Sequence, residues 1–178
     1  MRLLFSFILF CSFNASLMGQ DTLFYRQDWG EFVKHDLFIG YNGSPTENSQ
    51  LRDNYHSIEL GIWRSKVLNY NHPASASVYF SQELGLATGD FIHGTKFGGQ
   101  VTAMMYILGA EVTHHTDYDS HSVTFSPFMG IGAYSFRAIF AWRLRFTNKD
   151  FLPLSALNVN VSFKVFGIKS KKVRGYPY

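Results

Sequence analysis

Five side chains between residues 114 and 121 carry the densest potential chemistry in the chain: His114, His115, Asp117, Asp119 and His121. Imidazoles and carboxylates this close together suit a divalent metal ion, and an imidazole among carboxylates also suits a general base. The spacing matches no fixed ligand pattern, so the competing reading is a solvated loop flanked by interfacial histidines. A second set is spread along the chain: Lys34, Asp36, Glu59, Glu83, Lys96, Glu111, Arg137, Arg143, Arg145 and Lys164, six basic and four acidic. Serine hydrolysis would need a base beside a hydroxyl. His56-Ser57 and His121-Ser122 are adjacent pairs, and adjacent side chains on a strand point to opposite faces. No catalytic residue and no cofactor follows from these types and spacings.

The elements that position these residues are strands. The clearest is Ser155 to Ile168, where Leu157, Val159, Val161, Phe163 and Val165 alternate with Asn158, Asn160, Ser162 and Lys164. A period of two gives such a segment one apolar and one polar wall. Seven more segments repeat the design, at about 33–41, 55–64, 75–86, 94–104, 106–116, 122–133 and 136–146. Trp63 on a polar parity and Gln82 on an apolar one violate the alternation. Pro127 removes a ladder donor and is expected to mark a bulge or a strand end. The connections alternate between longer polar ones (42–53 and 147–154 chiefly) and very short ones, with the connection after the second strand fitting poorly.

Eight strands of about ten residues match the length that a tilted strand needs to cross a bilayer. The apolar parity is bulky and aromatic, with Phe97, Phe125, Phe136, Phe140, Trp142 and Phe163, and it lacks mid-strand charge. The polar parity holds all ten charged residues named above. It also holds Gly40, Gly61, Gly85, Gly98, Gly109, Gly130 and Gly132. Glycine serves no purpose on a solvent face, whereas in a narrow interior it makes room for long charged neighbours. A charge at the midplane of a lipid face costs roughly 2–4 kcal/mol. The expected fold is therefore all-β, an eight-stranded antiparallel up-and-down transmembrane β-barrel with its charges inside. Buried charges must be paired, so the ten are expected to form a lumen salt-bridge network. A narrow gated pore is the functional alternative.

Composition agrees. Hydrophobic residues make up 46% of the 178, yet mean hydropathy is only -0.06, so they are interleaved rather than massed. Residues 1–19 read as a signal peptide, with Arg2 ahead of a short apolar run. The only cysteine, Cys11, falls within it, which leaves no thiol for a disulfide or a metal site in the processed chain. Residues 20–32 read as a periplasmic lead-in, 33–168 as the barrel and 169–178 as a basic C-terminal tail. The net charge of +3 is modest and partly confined to that tail, which argues against nucleic acid.

With the signal segment and eight strands, the passages TKFGGQVTAMMYILGAEVTHHTDYDS, VTFSPFMGIGAYSF and LRFTNKDF resemble small outer-membrane β-barrel proteins of the Bacteroidetes type, similar in architecture to the OmpA and OmpX barrels. The resemblance is architectural and implies fold and location. It implies the outer membrane of a Gram-negative bacterium, outer-membrane lipids and lipopolysaccharide as surroundings, and the barrel-assembly machinery as a partner. A periplasmic or surface protein partner would meet the loops or the tail. The expected role is structural or in surface interaction. The alternatives are a lipid A-modifying enzyme, for which the His-x-Ser pair of the deacylases is missing, and a soluble periplasmic ligand-binding barrel.

Overall fold

A computed structural model describes residues 30–44, 55–69, 74–86, 91–133, 135–148 and 155–175. Residues 1–29, which include the expected signal peptide and most of the expected lead-in, and the tips of several connections, 45–54 and 149–154 among them, lie outside the described residues. The strands are β1 Gly30–Ser44, β2 Tyr55–Asn69, β3 Ala74–Gly85, β4 His93–Ala103, β5 Tyr106–Thr116, β6 His121–Ala133, β7 Phe136–Trp142, β8 Leu144–Arg145 and β9 Leu157–Gly175. β7 and β8 are one stave broken at Arg143, since both pair with β6. Each stave pairs antiparallel with its neighbour, and β9 closes the wall on β1. The chain is an all-β, closed, eight-stranded, up-and-down barrel.

The register fixes its stagger. Cross-strand partners lead from Glu31 through Leu68, Ala74, Ala103, Tyr106, Ile131, Ala138 and Val161 back to β1 at Tyr41, ten residues further along. That shear tilts the strands by roughly 35–45° and gives an interior wide enough for side chains to fill.

Three departures from the sequence expectation have physical causes. Pro127 neither ends β6 nor shifts its register with β5, where it sits opposite Ala110. The break falls on the other neighbour instead. Arg143 lies between the paired positions Phe128↔Ala141 and Phe125↔Leu144, beside the proline that lacks a donor. Second, β2 runs to Asn69, so the connection after it is short, in keeping with the other connections at that end. Third, β9 continues through residues 169–175, expected as a tail, and β1 begins at Gly30, within the expected lead-in. The two pair along this whole length with three register shifts, leaving Val165, Ile168 and Val173 as bulge residues. Each bulge reverses parity, so the alternation that marks the strand up to Phe163 is scrambled beyond it.

The polarity is inverted relative to a water-soluble protein. Ile39, Leu60, Phe80, Phe97, Leu108, Met129 and Phe140 project outward with 43–62% exposure. Glu59, Glu83, Lys96, Glu111, Arg137 and Arg143 are buried in the lumen.

Candidate functional site

The lumen is built in two layers. Nearer the short-turn end lies an aromatic layer of Phe38, Trp63, Tyr79 and Phe128, with Ile107, Ile139 and Ala141. Phe38 and Trp63 stack with centroids 4.4 Å apart, and Tyr79 meets Phe38 edge-on. Three of the four rings stand directly opposite a glycine across the ladder: Phe38↔Gly61, Tyr79↔Gly98 and Gly109↔Phe128. A Cβ at Gly98 would lie 2.4 Å from Tyr79 Cζ, and one at Gly109 2.4 Å from Phe128 Cζ. The lumen glycines at these positions make room for aromatic rings, which corrects the expectation of long charged neighbours. Trp63 is likewise no violation; it belongs to this layer.

Arg137 ties the two layers together. Its guanidinium carbon sits 4.4 Å from the Tyr79 centroid, 5.5 Å from Trp63, 5.6 Å from Phe38 and 5.8 Å from Phe128. A planar, weakly hydrated cation suits such a cage better than an ammonium group. Its far side donates from Nη1 to Gln100 Oε1 at 3.0 Å and faces Glu59 at 3.8 Å. Tyr79 spans the same boundary, its hydroxyl donating to Glu111 Oε2 at 2.6 Å.

The second layer is a charge cluster centred on Lys96. Its ammonium lies 2.8 Å from Glu83, 3.2 Å from Glu59 and 3.8 Å from Glu111. It also donates to Asn42 Oδ1 at 3.2 Å, the oxygen that accepts from Asn158 and Asn160. Glu59 accepts further bonds from Ser81, Asn42 and Asn160, and Glu83 accepts one from Ser57 at 2.6 Å. Arg143 approaches Glu83 at 3.9 Å. Three cations therefore meet three carboxylates, all buried. Serine and asparagine side chains add hydrogen bonds to Glu59 and Glu83, while Glu83 Oε2 and Arg137 Nη2 are held by charge proximity alone among the described residues. Buried charge is tolerated where it is paired and partly hydrogen-bonded in this way.

The structure brings six of the ten predicted lumen charges into this one cluster. Asp36 and Lys164 form a separate pair at the turn end, 2.9 Å apart, near the buried Lys34. Arg145 sits half-buried at the loop-end rim, opposite Thr124.

The His/Asp group is scattered. His115 points into the lumen and is fully buried, while His114 and His121 stand on the outer wall with ring centroids 6.0 Å apart. Asp117 folds its own turn, its carboxylate accepting from the backbone N–H of Asp119 at 3.1 Å and of Ser120 at 2.6 Å. Among the described residues no three His, Cys, Asp or Glu side chains are grouped so that they could hold a metal ion. Ser57 and Ser122 face the lumen while His56 and His121 face outward. His56 instead meets the Tyr41 hydroxyl on the outer wall at 2.5 Å. His115, opposite Gly94 and Ser122, has no hydrogen-bond partner for either ring nitrogen among the described residues, and Ser122 donates to Thr147 O. Among the described residues no lumen serine is hydrogen-bonded to a histidine; Ser57 and Ser81 donate to Glu83 and Glu59, carboxylates already engaged by Lys96.

Sequence reasoning missed the aromatic cage. Its signal was present as aromatic residues on the polar parity with glycines on the same parity of the neighbouring strand. The chain matches no protein-family model, no curated protein and no solved structure.

Proposed function

We propose that the protein is an integral outer-membrane β-barrel of a Gram-negative bacterium, of the small Bacteroidetes type, with a structural or surface-interaction role. The observation that carries this reading is the inverted polarity of the barrel. A continuous apolar outer wall encloses a buried, charge-balanced lumen. In water such a wall is an exposed apolar patch far beyond what a monomer carries. In lipid it is the expected band, and closure leaves no unsatisfied sheet edge across it. Outer-membrane lipids and lipopolysaccharide would contact this wall, the barrel-assembly machinery would insert it, and a surface partner would meet the loop end.

The packed lumen favours a closed barrel over the gated pore. The scattered His/Asp group and the unassembled Ser–His pairs favour a non-catalytic role over a lipid A-modifying enzyme. Fractionation followed by a heat-modifiability gel tests the reading. A membrane-borne species that migrates faster before boiling than after is expected. A soluble protein with no mobility shift would overturn it. In planar bilayers the barrel is expected to be silent, and unitary current steps would favour the pore.

A further inference from the structure

The lower ends of β2, β1 and β9 carry an abrupt change of chemistry on their outer face. Two rows are apolar: Leu60–Ile39–Phe163, then Ile62–Leu37–Phe166. The next two are cationic: Arg64–His35–Lys169, then Lys66–Val33–Lys171. Directly opposed residues of a ladder share a face, and Arg64, Lys66, Lys169 and Lys171 are all exposed. Glu31, 3.1 Å from Lys66, offsets one of the four charges. Neighbouring strands are about 4.8 Å apart, so Arg64 and Lys169 flank His35 across roughly 10 Å. The bulges at Val165 and Ile168 create this pattern, because they set Phe166 on the apolar row and Lys169 on the cationic one.

We propose that this border is a binding site for an anionic phospholipid, its phosphate held by Arg64, Lys169 and Lys171 and its acyl chains lying on Ile62, Leu37 and Phe166. The proposal rests on the membrane reading of the barrel and deepens it by naming a lipid class. The occupant follows from the order of the rows. A single ligand that is apolar on one side and anionic on the other, aligned with the barrel axis, is a membrane lipid at its headgroup level. The apolar rows are continuous with the rest of the outer wall, so the chains need no separate groove. Juxtamembrane cations attract anionic headgroups with about 1 kcal/mol each, which corresponds to about fivefold in affinity per charge.

The test uses the refolded full barrel in phosphatidylcholine vesicles doped with spin-labelled phosphatidylglycerol or spin-labelled phosphatidylcholine. Electron paramagnetic resonance reads the motionally restricted fraction of each label at the barrel wall. A heat-modifiability gel on the same vesicles reports insertion separately. Failure to insert removes the membrane reading, and this proposal with it. Insertion with equal restriction of the two labels overturns the proposal alone.

The expected result is a preference for phosphatidylglycerol at low salt. It should fall by about fivefold for each charge removed in Lys169→Gln/Lys171→Gln and again with Arg64→Gln. A preference that survives the triple variant overturns the proposal. So does binding of poly-L-glutamate through the same residues without lipid preference, which would mark the surface as a dock for an acidic protein.

Discussion

Replacing Lys96 by methionine is the sharpest test of the charge cluster. The substitution keeps an unbranched chain of similar length and removes only the ammonium group. That group is the nearest cation to Glu83 and Glu59, at 2.8 and 3.2 Å, and it also approaches Glu111 at 3.8 Å. Without it, three buried carboxylates face Arg137 and Arg143, whose approaches to Glu59 and Glu83 are 3.8 and 3.9 Å. One negative charge is stranded in a fully buried site. Breaking a buried ion pair by removing one partner costs about 3–5 kcal/mol. With a urea slope of about 2 kcal/mol per molar, the unfolding midpoint should fall by about 2 M. Urea titration in phospholipid vesicles, followed by heat-modifiable mobility and by tryptophan fluorescence, measures it. Trp63 lies in the layer adjoining the cluster and so reports on it. Lys96→Met/Glu83→Gln restores a balance of two cations and two carboxylates and should recover more than half of the loss. A loss below about 1 kcal/mol in the single variant, or no recovery in the double, would refute the claim that these carboxylates depend on one shared cation.

Three further predictions follow from separate parts of the structure. Gly98→Ala and Gly109→Ala place a methyl 2.4 Å from a buried ring and should each cost about 1–3 kcal/mol in the same titration; Gly99→Ala, whose nearest neighbour would be 3.7 Å away, should be near neutral. Leu60→Arg puts a charge on the outer wall midway between His56 and Arg64, and in vesicles should cost roughly 2–4 kcal/mol; a change within about 0.5 kcal/mol, as at a water-exposed surface, would count against the membrane reading. Arg137→Lys retains the charge but loses the planar group among four rings. It should destabilise by about 1–2 kcal/mol, read as a lower midpoint with unchanged insertion.

The strand count, the pairing order and the direction of each face were legible because a half-buried strand writes its two walls at a period of two. Most of β1, β3 and β5 and the upper part of β9 follow that rule residue by residue. The lower part of β9 was not legible, because three bulges reset its parity and its exposed residues, Val165, Phe166, Ile168 and Lys169 among them, no longer alternate. Pro127 misled for a related reason: loss of a donor is local to one edge of a strand, and sequence does not say which neighbour meets that edge. For the site, charge on the polar parity identified the members of the Lys96 cluster but not their grouping. Asp36 and Glu59 look alike in the sequence, yet one pairs with Lys164 at the turn end and the other sits in the central cluster. The His/Asp group looked dense because its members are close along the chain; across a strand, His114 and His115 fall on opposite walls whatever their spacing.

The interior determines where function can lie. A barrel with eight staves and a shear of ten has a lumen that side chains can fill, and here they fill it with four rings, three cations and three carboxylates in mutual contact. Opening a water path would separate pairs whose loss costs several kcal/mol each, a large fraction of the stability of a domain this size. On the reading proposed above, the lumen would serve to hold register and circumference. Among the described residues, the cationic border below the apolar wall is a surface formed by the paired strands β2, β1 and β9, whose register is already set.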